Sequence, residues 1–292
     1  MSGFPLLDKL TKGFEMGCVT VWTGVSNVGK TTLLTAIINS AIEQNHKVLT
    51  FNGEQSKEDF KNNLYIQSSD PSDLYFEQYK DTSITDTFVK ERRRRELDRK
   101  YGGRLFIYNN NAPRGIQALL HEMEDAYIVH GVDVFVLDNF MQIDMEGTDI
   151  FQEQSRVMEE LRTFAVKKQV HIHLVAHPRK MQDFHIRLSL FDISGSMNVA
   201  NKAYNIIAIE RVDMMDKESL EYKHLAEYLL SKRYDIENTG TILEVLKTKG
   251  TACGIVPLMF DMQTKAFKEQ PELTSEIWEK KKHEKAQTSK FK

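Results

Sequence analysis

Gly24-Val25-Ser26-Asn27-Val28-Gly29-Lys30-Thr31 reads G-x-x-x-x-G-K-T. The apolar run Cys18-Val19-Thr20-Val21-Trp22 precedes it, and Leu33, Leu34, Ala36, Ile37 and Ile38 follow at helical spacing. A strand, a glycine-rich turn and a helix form the context in which this pattern cradles phosphate instead of marking a chance turn. Backbone N–H groups of the turn would close round a β-phosphate, and the helix N-terminus adds its positive end. Lys30 would reach the β/γ-phosphates and Thr31 would ligand Mg²⁺. The candidate nucleotide-binding residues are therefore Gly24, Ser26, Asn27, Val28, Gly29, Lys30, Thr31 and Thr32, with ATP and Mg²⁺ as the implied ligands.

Outward from this turn, strands alternate with helices. Strands are expected at about 18–23, 47–52, 104–108, 132–137 and 170–176, and helices at about 30–44, 115–130 and 152–168. A long helical region is expected over about 56–101, broken near Ser68-Ser69-Asp70-Pro71, and a loop from His177 to about Met197. Later strands, at about 204–209, 241–246 and 255–261, follow one another with a polar insertion at 213–240, expected to be a surface hairpin or loop. The order implies an α/β fold with a mostly parallel twisted sheet, flanking helices and antiparallel C-terminal edge strands. Residues 1–270 are expected to form the ATPase domain, and the charged, apolar-poor tail 271–292 to fray.

The chain has 292 residues, 41% hydrophobic and 28% charged, with a net charge of −3, so any nucleic-acid surface must be a local patch. Cys18 and Cys253 both lie in apolar runs and are expected to be small buried hydrophobes. No apolar run approaches the roughly 20 residues that span a bilayer, and no signal-peptide pattern opens the chain, which fits a cytoplasmic setting.

ATP hydrolysis also needs a second metal-holding acid, a water-orienting group and a γ-phosphate sensor. Asp138 closes the apolar strand Val134-Phe135-Val136-Leu137 and is the metal-holding candidate; otherwise it is an acidic cap. Glu54 follows the second strand, at the carboxyl end where open parallel sheets bind ligands. It could polarise water, or cap the helix that follows. His177 faces the same rim after Leu174-Val175-Ala176, either as a sensor or as an idle polar residue.

With Phe51-Asn52-Gly53-Glu54, Leu137-Asp138-Asn139, Leu174 to Lys180 and Asp192-Ile193-Ser194-Gly195-Ser196 in this order, the chain resembles the DnaB-type replicative helicases. It is nearest in phrasing to the phage primase-helicases and mitochondrial Twinkle. The resemblance implies a RecA-like core that works as a homo-oligomer, usually a hexameric ring, with ATP between subunits and single-stranded DNA through the centre. It also implies DNA replication proteins as partners. It assigns phosphate contact to Lys30, catalysis to Glu54, metal holding to Thr31 and Asp138, γ-phosphate sensing to His177, and DNA contacts to Arg179, Lys180, Arg187 and Asn198. The family's trans-acting Lys-x-Arg reads Lys247-Thr248-Lys249 here, so Lys247 would touch the nucleotide and Lys249 stands where arginine is expected. Lysine lacks the bidentate fork, which leaves Arg233 as an alternative and a solvated edge strand as the bland one. The family's N-terminal domain and linker helix do not precede the motif in this sequence, so ring formation is expected to be weakened. A recombinase-like filament and a nucleotide-gated loader without unwinding activity remain open at this point.

Two weaker patterns stand apart. Arg92 to Arg95 lies in a helix-like stretch with Glu91, Glu96 and Asp98, which reads as a solvated helix face or as a subunit-interface or DNA-entry patch. His171 and His173 share one strand face by period two, which favours a polar sheet face over a metal site.

Overall fold

The structure is a computed structural model and describes residues 1–52, 55–78, 85–108, 115–144, 149–178, 187–193 and 196–288. The first half contains α1 (Pro5–Thr11), β1 (Cys18–Thr23), α2 (Lys30–Glu43), β2 (Val48–Asn52), α3 (Lys57–Gln67), β3 (Leu74–Gln78), β4 (Thr85–Val89), α4 (Glu91–Tyr101), β5 (Leu105–Ile107), α5 (Ile116–Asp125) and β6 (Val134–Asp138). Then come α6 (Ile150–Lys168), β7 (His171–Val175), α7 (Ser196–Lys202), β8 (Asn205–Arg211), α8 (Leu220–Ser231), β9 (Thr241–Lys247), β10 (Gly254–Asp261), β11 (Ala266–Glu269) and α9 (Ser275–Thr288).

Nine strands form one sheet in the order β11-β10-β9-β8-β1-β7-β6-β2-β5. From β8 to β5 all neighbours are parallel; β9, β10 and β11 pair antiparallel at one edge. Every residue of β2, β6 and β7 is buried, as expected of strands covered on both faces. One core packs α1–α4 against the first face, around Trp22, Leu33, Ile37 and Leu64. The second packs α5, α6 and α7 on the other, around Phe135, Met123, Leu161 and Val199. Asp149 caps α6 by accepting from Phe151 N and Gln152 N, which starts that helix two residues before the expected position.

Three local expectations give way. Within the expected helical region, Leu74–Gln78 and Thr85–Val89 are instead an antiparallel β3–β4 pair, with Tyr75 stacked on Phe88. Aromatic and β-branched side chains there outweigh the helical flanks. The insertion after Arg211 carries α8, started by the Ser219 cap and seated by buried Leu225 and Leu229 one turn apart. The two cysteines are not buried alike: Cys18 is half-buried and Cys253 exposed. At the end of the chain, Trp278 Nε1 donates to Leu230 O at 2.7 Å and Lys281 pairs with Asp235 at 2.9 Å, fastening α9 against α8. Arg92 and Arg95 make i,i+4 pairs with Glu96 and Glu91, the solvated helix face. Among the described residues, no helix is long and apolar enough to cross a membrane.

Candidate active site

The turn between β1 and α2 is shaped by backbone that few residues tolerate. Asn27 and Gly29 lie in the left-handed region, at φ 64° and 93°. A Cβ on Gly24 would meet Ile209 O of β8 at 2.7 Å, so the loop sits directly on the neighbouring strand. Gly29 offers no side-chain cap to α2. The amides of the first turn therefore face the hollow of the loop, an arrangement suited to an anion. Lys30 is buried, and its ammonium donates to Gly24 O at 2.9 Å and Val25 O at 2.8 Å. It thus holds a positive charge inside the loop.

Parallel pairing brings the remaining groups to this rim. Thr31 Oγ1 donates to Asp138 Oδ2 at 2.6 Å, joining α2 to the end of β6. Asn52 stands beside Asp138 in the sheet register, and its Oδ1 accepts from Gln55 N at 3.2 Å. The Asn139 side-chain amide meets His177 Nε2 at 3.0 Å, and its Oδ1 accepts from Met141 N at 2.9 Å. Asn139 thereby links the ends of β6 and β7. In the sequence it stands only as part of a motif, and its position directly after Asp138 is the signal for its role. Glu54, Arg179 and Lys180 lie outside the described residues.

Two hollows open beside the loop. A cleft of about 800 Å³ runs from Asn27, Gly29 and Thr32 to Arg211, Tyr222 and Phe260. Residues of the insertion and of β10 line it, and nothing in the sequence marked them. A smaller, apolar one of about 350 Å³ lies between Val25, Ser26 and the pair Arg187 and Glu210. Arg187 pairs with Glu244, and its Nε stands 3.6 Å from Glu210. Burial pushes the Glu210 carboxyl up to about 7, against the pull of Leu188 N, which it accepts at 2.9 Å, and of Arg187. Arg187 is thus engaged with two internal carboxylates. Asn198 is exposed on α7.

Lys247 and Lys249 are remote from this rim. Because β9 is antiparallel, Lys247 pairs with Ile206 near the start of β8, and Ile206 pairs with Val21 in the middle of β1. At about 3.3 Å per strand residue, Lys249 is on the order of 20 Å from Gly24 along the sheet. Its ammonium lies over the Tyr204 ring, 5.7 Å from the centroid. Arg233 lies over Trp278, 5.0 Å from the centroid. His171 and His173 are buried and hydrogen-bonded within the sheet. Among the described residues, no group of three His, Cys, Asp or Glu could hold a metal ion.

Residues 1–269 match the family described as DnaB-like helicase C terminal domain. The chain belongs to that family. It is the ATP-hydrolysing motor domain of a DNA helicase. The fold has close counterparts among solved structures. One, described as an ATPase domain, superposes with a TM-score of 0.71 at 16% identity, over 93% of this chain and 91% of that one. A DnaB-like replicative helicase, solved in a study of its interactions with primase, gives 0.71 at 16% identity over 91% of this chain and 61% of that one. The nine-stranded RecA-like sheet with its antiparallel edge is thus the family's architecture.

Proposed function

We propose that this domain hydrolyses Mg·ATP between neighbouring copies in a ring, usually a hexamer, and uses the cycle to move along single-stranded DNA. The observation that carries the proposal is the 2.6 Å hydrogen bond from Thr31 to Asp138, which joins the phosphate loop to an acid at the end of β6. The hydroxyl and carboxylate form a hard-oxygen pair that suits Mg²⁺, an ion that keeps several of its waters. When bound there, Mg²⁺ would neutralise charge on the β- and γ-phosphates. Thr31 and Asp138 would hold it; Lys30 would turn its charge from the loop carbonyls to the phosphates; Gly24, Ser26, Asn27, Val28, Gly29 and Thr32 would frame them. The cleft beyond Gly29 and Thr32 has room for the nucleoside.

Glu54 takes the proton of the attacking water, and His177, steadied by Asn139, responds to the γ-phosphate. Lys249 cannot reach its own loop across the sheet, so it serves a neighbouring copy, where a cation offsets transition-state charge. Arg179, Lys180 and Asn198 contact the DNA backbone. Steady-state ATP turnover with and without single-stranded oligonucleotide tests this, alongside molar mass in solution. The expected result is DNA-stimulated turnover that rises with assembly. Tight ATP binding with no stimulation, at a mass that never exceeds the monomer, would overturn it.

A further inference from the structure

The last residue of β9 is held in an unusual way. Lys247 Nζ donates to Ala200 O at 2.6 Å, Asn201 O at 2.9 Å and Ala203 O at 2.8 Å. These carbonyls belong to the end of α7 and the residue just past it, where a helix leaves its C=O groups without intrahelical partners. An ammonium has three donors and no acceptor, so this geometry engages all of them, at the negative end of the helix. The strand is shaped for it. Register slips between Ile206 and Ile207, which pair with Lys247 and Val245, so Leu246 is an extra residue. Such a bulge re-aims the side chain beside it.

The following residues are fixed as well. Thr248 Oγ1 donates to Asn205 Oδ1 at 2.8 Å and accepts from Gly250 N at 2.8 Å. Gly250 abuts α1 so closely that a Cβ would lie 2.5 Å from Thr11 C. Between these anchors Lys249 alone is exposed.

We propose that Lys247 is a positioning strut and not a nucleotide ligand: it locks the end of α7, the helix carrying Asn198, to the tip that presents Lys249 to a neighbouring copy. The inference rests on the proposed trans role of Lys249. A polynucleotide contact that displaces α7 then carries the tip with it, because every carbonyl that accepts from Lys247 lies at that helix end. Removing the strut misplaces a cation that works at a distance from the substitution, and a shift of about 1 Å in such a group can cost on the order of 100-fold in rate.

Hydrogen exchange of the nucleotide-free protein separates strut from ligand, since no neighbour or nucleotide is needed to see it. In Lys247→Met, amides over residues 199–204 should exchange faster than in the wild type, and DNA-stimulated turnover should fall by about ten- to a hundredfold. The ATP dissociation constant should stay at the wild-type value. Lys247→Gln, which keeps two donors, should fall between and serves if the methionine variant does not fold. In a Lys249→Ala background the Lys247 substitution should add nothing to the loss of turnover. Unchanged exchange over 199–204 overturns the strut, as does a weakened ATP affinity with unchanged exchange. Faster exchange with intact turnover overturns the coupling. Lys249→Ala with wild-type turnover removes the trans reading itself, which the exchange result does not depend on.

Discussion

At the rim where the parallel strands end, Lys30 sits on two carbonyls of its own loop and Thr31 on Asp138, contacts that a phosphate and a cation can replace. At the opposite rim the polar groups form a closed chain. His171 Nδ1 bonds Glu15 O at 2.6 Å, and because a carbonyl only accepts, that nitrogen carries the proton. Its Nε2 then accepts from Thr20 Oγ1 at 3.1 Å. Thr20 accepts from Asn205 Nδ2 at 3.2 Å, and Asn205 Oδ1 accepts from Thr248. One rim holds groups in exchangeable arrangements; the other satisfies each donor with a protein partner and fixes geometry. A low-dielectric interior rewards complete networks and penalises half-made ones, so the second rim is where rigidity belongs.

Substitutions at the two rims should therefore separate chemistry from stability. The largest effect is expected from Glu54→Gln. Losing a general base typically lowers rate by about 10²–10⁴, and ATP affinity should hold. Single-turnover kinetics at saturating ATP measure it, and a wild-type rate would remove Glu54 from the reaction. Next is Lys30→Ala, expected to weaken ATP binding by about a hundredfold or more, at about 1.4 kcal/mol per decade. Titration with a fluorescent nucleotide reads this directly. Both variants should keep the wild-type unfolding free energy to within about 1 kcal/mol, since neither substitution removes an apolar side chain.

The same contrast explains what was legible beforehand. The loop, the fully apolar strands and Asp138 declare themselves because one short motif and runs such as Val134 to Leu137 carry both fold and chemistry. His171 and His173 fit the polar strand face expected of them, but their burial and partners depend on β1 and β8, far away in sequence. The surroundings of Lys247 are not legible in the same way, because the bulge beside it and the end of α7 that accepts its hydrogen bonds come from pairing and packing that no local pattern marks. The ion pairs of Arg187 are likewise hidden from the sequence, since Glu210 and Glu244 come from strands that no local pattern connects to it. The β3–β4 pair was hidden between two strongly helical segments, and the cleft wall lay in an insertion with no motif at all.

The opposite rim should also respond to acid. Burial lowers the His171 pKa from 6.5 to about 4, and that of His173 lies well below its usual value, with Trp22 Nε1 donating to His173 Nδ1. The unfolded chain therefore binds these protons first. Stability is full above about pH 6.5 and is lost as pH falls towards 4, by about 3 kcal/mol for His171 across that window. Denaturant midpoints at a series of pH values measure the slope. His171→Gln should flatten it, and an unaltered slope would mean that His171 titrates alike in both states.

The smallest expected change is Thr248→Val, and it tests whether the closed chain of bonds stabilises the fold. Valine keeps the shape but removes the hydroxyl, so Asn205 Oδ1 loses a donor and Gly250 N an acceptor. Leaving such groups unpaired costs about 1–3 kcal/mol, against the near-neutral result expected if water replaced both partners. Thr248→Ser keeps the hydroxyl and should retain wild-type stability, which separates the bond from the methyl group. Nucleotide affinity should not move in either variant, because the site lies across the sheet. A valine variant as stable as the serine one would show that the network ends at Asn205, and that the tip beyond it is held by Lys247 and the contact of Gly250 with Thr11 alone.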